Sequence, residues 1–261
     1  MVEIIDIHCH LTMAEYDADR TQVIEDAKRV LSAVVICGAG PAAAQNALEL
    51  AAAHTSFIFV TLGLHPIYVE DITDQEIERY AEFISAHRRA IVGIGEIGLD
   101  YYWVKDPLKL KRVKCVFVEF LGLANELQLP VVLHLRGTGS EAIEEGLEIV
   151  RGEDVKSAIF HCFTGKPAVA EEISEEGYYV SLPTSIVRSK SMKKIAKRLP
   201  LSALLTETDA PYLATVGNER NVPQNVTVVY EEIARQQKLS LETVNEAIER
   251  NFERVFGVAL R

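Results

Sequence analysis

The amino-acid sequence predicts a single (β/α)8 TIM barrel over residues 1–261, with an additional C-terminal helix. Three observations carry that expectation. Eight short apolar runs rich in β-branched residues recur along the chain, longer segments with helical periodicity lie between them, and polar residues capable of chemistry sit where the apolar runs end. Unbroken apolar character marks a parallel strand covered on both faces. Eight strand–helix units in about 250 residues are what a closed parallel barrel requires.

The runs are VEIIDI, SAVVICG, SFIFVTLG, AIVGIGE, LPVVLH, SAIFHC, YYVSLP and SALLTE. A helix is expected over 18–31, with Val23, Ile24, Ala27, Val30 and Leu31 in one apolar stripe. Another is expected from Pro107 to Leu127, opening on a proline at a helix-start position. The last spans 240–257, with Leu241, Val244, Ile248, Phe252 and Val255 on one face, Ser240 as N-cap and Gly257 as stop. An open doubly wound sheet is the competing architecture. It requires a glycine-rich phosphate turn after the first strand, and the residues there, HCHLT, contain no glycine.

Composition bounds the function. With 261 residues, 48% of them hydrophobic, the chain can bury one large core or two small ones. No apolar run approaches the roughly 20 residues of a membrane span, so no membrane partner is expected. The N-terminus lacks the features of a secretory signal, and four cysteines without CxxC spacing point to the reducing cytoplasm. A net charge of −11 excludes a broad basic coat for gripping duplex DNA. It leaves a polyanionic substrate open, because metal ions supply positive charge locally. Nothing in the sequence marks an obligate protein partner.

The site reading rests on strand ends. His8 and His10 close the first strand, His65 follows the third, Glu96 ends the fourth, His134 the fifth, His161 the sixth, and Asp209 the eighth. Carboxyl ends of barrel strands share one face, so residues scattered over the chain converge on one pocket. Side-chain alternation places Asp6, His8 and His10 toward the axis, Ile5, Ile7 and Cys9 toward the helices. The same parity turns Glu207 and Asp209 inward, Thr206 and Thr208 outward, and Cys162 away from His161's side. Cys9 and Cys162 are expected to be packed core residues. A lone histidine is more often a satisfied core residue than a ligand. Four histidines and two carboxylates on one rim, however, would cost several kcal/mol to bury unless a cation compensated them.

His8, His10, Glu96, His134, His161 and Asp209 are therefore the predicted metal ligands. Imidazole with carboxylate suits zinc, manganese, cobalt, nickel or iron, with magnesium still compatible. Six ligands exceed one tetrahedral ion and match two divalent ions, with Glu96 as bridge between the histidine groups. Asp6 and Glu207 are candidates for orienting imidazoles behind the ligands, with a purely structural role the alternative. Tyr101, Tyr102 and Trp103 follow on a loop at the same face, able to stack on bases or to pack as a lid.

DIHCHL (6–11), GLHP (63–66), GEIGLDYYW (95–103), LPVVLHLR (129–136), HCFTG (161–165) and TETDAPYL (206–213) together resemble the TatD-type metal-dependent deoxyribonucleases, a branch of the amidohydrolase superfamily. The resemblance covers essentially the whole chain. It implies one metal on His8, His10, Glu96 and Asp209 and a second on Glu96, His134 and His161. It also implies substrate contacts from His65 and Arg136. Gly137, Val222 in the Asn221–Pro223 segment, and the region of Val113 depart from the family pattern, and bear on substrate preference.

The expected reaction is hydrolysis of phosphodiesters from single-stranded DNA or DNA ends. Asp209, Glu96 and His65 would be catalytic, with Asp209 accepting the proton of the attacking water. Two rivals share the fold: hydrolysis of a small amide, lactone or ester, and a non-catalytic metal-bound scaffold. A glutamate where many amidohydrolases carry a modified lysine favours the phosphodiester reading over the first. The extra polar residues His65 and Arg136 argue against the second.

Overall fold

A computed structural model describes residues 4–215 and 219–260. Eight strands follow in chain order: β1 (Ile5–Cys9), β2 (Ala33–Gly38), β3 (Ile58–Leu62), β4 (Gly93–Asp100), β5 (Val131–Arg136), β6 (Ala158–Phe160), β7 (Tyr179–Pro183) and β8 (Leu204–Glu207). Each pairs in parallel with the next, in the order β1 to β8. Closure comes where the segment just past β8 meets the carboxyl end of β1. Asp209 N donates to His8 O at 3.0 Å, and His10 N donates to Ala210 O at 2.7 Å. The predicted TIM barrel is the observed fold. Val2 and Glu3, which open the first predicted run, lie outside the described residues.

The helices are α1 (Arg20–Lys28), α2 (Pro41–Ala53), α3 (Asp74–Ala86), α4 (Pro107–Leu127), α5 (Glu141–Gly152), α6 (Pro167–Glu175), α7 (Lys190–Arg198), α8 (Thr227–Gln237) and α9 (Leu241–Phe256). Their boundaries follow local chemistry. Asp106 caps α4 by accepting from Leu108 N and Lys109 N ahead of Pro107. Ser240 caps α9 by accepting from Thr243 N, and Gly257 ends it at φ 65°, where a side chain would be strained. α9 is the expected extra helix. Val244, Ile248, Phe252 and Val255 are buried, and Asn251 Nδ2 donates to Leu201 O and Leu204 O at the base of β8.

Two stripe assignments are corrected. Val30 is 43% exposed and Leu241 47% exposed. Both stand at helix ends: α1 stops at Lys28, and Leu241 is the first residue of α9. Beyond the last regular turn the 3.6-residue period no longer dictates direction. Among the described residues no helix is long and apolar enough to cross a membrane.

Strand lengths also differ from the sequence reading in a way that matters for the site. β4 continues to Asp100 and β5 to Arg136, so Glu96 and His134 lie within their strands rather than at the ends. β6 stops at Phe160 and β8 at Glu207, so His161 and Asp209 lie beyond theirs. Gly98 accommodates the closest strand approach: a Cβ there would stand 2.1 Å from His134 O.

The amino end of β1 is held by α8. Tyr230 Oη accepts from Ile5 N at 2.9 Å, with both groups buried. Tyr230→Phe should leave that amide unsatisfied and lower unfolding free energy by about 1–3 kcal/mol. Urea unfolding followed by circular dichroism measures it, and an unchanged midpoint would contradict the role given to the hydroxyl.

Candidate metal centre and active site

The carboxyl ends of the strands open into a cavity of about 1940 Å³, lined among others by His10, Cys37, His65, Glu96, His134, Arg136, His161 and Asp209. Its floor is an imidazole–carboxylate cluster centred on Glu96, which is 3% exposed. Glu96 Oε2 lies 3.1 Å from both His134 Nδ1 and His161 Nε2, and those two nitrogens are 3.3 Å apart. Glu96 Oε1 faces the other group, 3.7 Å from His10 Nε2. There His8 Nε2 is 3.3 Å from His10 Nε2, while Asp209 Oδ1 stands 3.2 Å from His10 and 3.7 Å from His8. All six predicted ligands are thus brought together in two groups around Glu96, with His8 Nε2 4.0 Å from Oε2.

The far sides of the rings decide which atoms face inward without a proton. His134 Nε2 lies 3.3 Å from Asp100 Oδ2, whose other oxygen accepts from Tyr102 N and Trp103 N. A proton on Nε2 serves that carboxylate and leaves a lone pair on Nδ1. His161 Nδ1 lies 3.5 Å from Glu207 Oε1, at ion-pair range without hydrogen-bond geometry. Glu207 is itself fixed by Cys162 N and Ser181 Oγ. With their outer nitrogens protonated, two imidazole lone pairs and a carboxylate oxygen converge within 3.3 Å. Such a grouping is repulsive unless a proton or cation stands among the three. The residues fit a metal: His134, His161 and Glu96 could hold one ion, and His8, His10, Asp209 and Glu96 another.

Electrostatics agree. Burial alone would raise the Glu96 carboxyl, yet the His65, His134 and His161 rings hold it well below its ordinary range. Burial pushes His8 well down, toward the neutral form a ligand needs. For His161 burial acts the same way, but Glu207 and Glu96 outweigh it and raise the ring well above its ordinary value.

His65 stands beside this floor, its Nε2 3.9 Å from Glu96 Oε2. Its Nδ1 accepts from Ile67 N at 3.2 Å, so the proton is on Nε2. Burial pushes its pKa down to about 3, which makes it a neutral donor. Arg136 is exposed on the rim, its guanidinium 4.5 Å from the Tyr102 ring centre and 5.9 Å from that of Trp103. Tyr101 is not available for stacking, since its hydroxyl is tied to Glu145 on α5.

Two alternation-based assignments need correction. Cys162 lines the cavity rather than packing in the core. β6 has ended by then, and a left-handed backbone (φ 46°) redirects the side chain. Thr208 turns toward Asp6, its Oγ1 2.5 Å from Asp6 Oδ2, because it too lies past its strand. Of the two roles open to Asp6, orienting an imidazole or a purely structural one, its partners among the described residues support the structural one. Its carboxylate accepts from the backbone N–H groups of His8 and Thr208, bracing the β1–β8 seam.

Other residues escaped sequence reasoning. Asp100 shares parity with Glu96 and lies in the same motif, a signal that could have found it. Cys37 accepts from Glu96 N through Sγ at 3.2 Å, and only its position near the end of β2 hinted at this. Tyr68 and Tyr212 stand at the mouth, and nothing in their local sequence sets them apart from core tyrosines.

By fold and donor set the chain falls among the metal-dependent hydrolases. It belongs to the TatD related DNase family, which it matches over residues 5–257. An uncharacterized metal-dependent hydrolase of Methanocaldococcus jannaschii is 36% identical over 250 residues, covering 96% of this chain and 95% of that protein. Deoxyribonuclease TATDN3 of Homo sapiens is 30% identical over 264 residues, covering 98% and 95%. The crystal structure of YJJV, a TatD homolog from Escherichia coli K12, superposes with a TM-score of 0.87 at 25% identity, covering 98% of this chain and 99% of that one.

The raised His161 ring has a measurable consequence. Because its pKa lies above the ordinary 6.5, a proton occupies the ring near neutrality and a cation must displace it. Zinc affinity of the metal-free protein, measured by chelator competition, should therefore fall as the pH is lowered from the alkaline side through neutrality. A flat profile would contradict this.

Proposed function

We propose that the chain, acting as one barrel unit, is a two-metal deoxyribonuclease that removes nucleotides from single-stranded or frayed DNA ends. One observation carries the reading: the donor cluster lies at the floor of a cavity rimmed by aromatic side chains. Tyr68, Tyr102, Trp103 and Tyr212 are the exposed aromatic residues among those described, and all four line it. Exposed rings around a charged floor suit bases that stack while a phosphate descends. The volume exceeds the 300–1,000 Å³ or so of a typical small-ligand pocket, which favours a polymer over a small amide or ester. The relative named as a deoxyribonuclease supports the same class.

Two divalent ions held by the groups described would lower the pKa of water and neutralise non-bridging phosphoryl oxygens. The remaining work falls to side chains. Asp209, on the rim of the His8–His10 group, orients the attacking water and takes its proton. His65 donates through Nε2–H to the phosphoryl group as charge develops. Arg136, preoriented by the Tyr102 and Trp103 faces, holds a phosphate next to the scissile one. The free cysteines suit a cytoplasmic setting.

The geometry favours ends. The metal groups lie at the bottom of a funnel, and lowering an internal duplex phosphodiester into it requires unstacking. A terminal nucleotide enters alone.

Asp209→Asn should lower turnover about 10²–10⁴-fold on a chromogenic phosphodiester while the fold, read by circular dichroism, is kept. A wild-type rate would remove Asp209 from the proton transfer. Linear single-stranded DNA should be degraded much faster than a covalently closed single-stranded circle of the same sequence. Equal rates would exclude the end-directed model, and a preference for an ester panel over both would exclude the nuclease reading.

A further inference from the structure

The active-site cavity does not account for one region of unusual charge. Between Glu176 and Glu207 the chain carries no acidic residue and six cationic ones, within a protein of net charge −11. They are Arg188, Lys190, Lys193, Lys194, Lys197 and Arg198, on α7 and the turn before it. Three are engaged: Arg188 donates to Ala214 O, Lys193 to Val187 O, and Arg198 to Glu171. Lys190, Lys194 and Lys197 are exposed and make no hydrogen bond or ion pair among the described residues. Spaced i, i+4 and i+7, they form one stripe on the outer face of the helix.

The stripe begins at the mouth of the site. α7 follows the carboxyl end of β7, so its first turn lies at the catalytic rim, and Ser191 there lines the cavity. Arg188 fastens this corner to the segment that carries Tyr212 and Leu213, which line the same cavity. From Lys190 to Lys197 the stripe then descends the outer wall for about 10 Å. Three unpaired cations in a row are not needed by the fold. Sustained positive charge leading from a phosphodiester site, on a protein of net charge −11, is complementary to a nucleic-acid backbone.

We propose that Lys190, Lys194 and Lys197 form a track for the uncleaved part of a single strand, whose end is in the cavity. This rests on the nuclease reading of the site and deepens it by assigning the path of the substrate. It also gives an acidic protein a local route of attraction for a polyanionic substrate.

The test compares wild type with the triple variant Lys190→Gln, Lys194→Gln, Lys197→Gln, all three at exposed positions. Binding of a fluorescein-labelled 20-nucleotide single strand is followed by anisotropy over a range of salt concentrations. Hydrolysis of the same strand and of bis(4-nitrophenyl) phosphate, too short to reach α7, is measured in parallel. In the variant the salt slope should become shallower by about 2, at roughly 0.7 for each phosphate that is no longer neutralised. KM for the long strand should rise with kcat kept, and the small diester should be cut at the wild-type rate. Equal binding and equal salt slopes in the two proteins would overturn the track, whatever either hydrolyses. Loss of strand binding in the variant, with no diester cleaved even by wild type, would support the track and overturn the nuclease reading instead.

Discussion

The centre of this molecule is one carboxylate that faces more lone pairs than protons can satisfy. Glu96 presents one oxygen to His134 and His161 and the other to His10, beside His8 and Asp209. In an interior with little water such an arrangement costs several kcal/mol unless positive charge enters it. In the metal-free chain Glu207 and Glu96 raise the His161 ring well above its ordinary value, toward the protonated form that carries such charge. Divalent ions supply it more fully and would do so on both sides of the bridge. The rest of the barrel is organised to keep this costly arrangement in place.

That organisation has layers. The outward-facing Ile5, Ile7, Val131 and Leu133 are buried in apolar surroundings, where each contributes roughly 1.5–3 kcal/mol. Behind the candidate ligands stands a set of carboxylates: Asp100 orients His134, Glu207 faces His161 at ion-pair range, and Asp6 braces the seam where β8 meets β1. Above them the rim carries exposed aromatic residues and Arg136. The floor is therefore rigid, and variation in substrate would be written in the loops, as the fold generally allows.

Much of this was readable from the sequence, for a physical reason. A strand covered on both faces needs unbroken apolar character, so all eight strands announce themselves. An inward-pointing polar residue on such a strand is costly enough to be conspicuous, which is why His8, Glu96 and His134 stand out. Alternation fails where extended backbone stops. Cys162 and Thr208 lie one or two residues beyond their strands, and there the turn, not the pleat, sets direction. Asp100 was hidden by the unexpected length of β4, and Cys37 by a side chain that usually signals packing. Val30 and Leu241 show the same limit at helix ends. Tyr68 and Tyr212 could not be told from core tyrosines, because exposure at a cavity mouth is a property of the closed barrel.

The central claim is that Glu96 joins two metal groups into one centre, and metal stoichiometry tests it most directly. Apo-protein prepared by chelation should take up two divalent ions per chain, counted by elemental analysis after zinc titration and gel filtration. Glu96→Ala removes an oxygen from each group at once, so both ions should be lost or bound weakly enough to wash out, with circular dichroism unchanged. A Glu96→Ala variant that retained two ions as tightly as wild type would contradict the account.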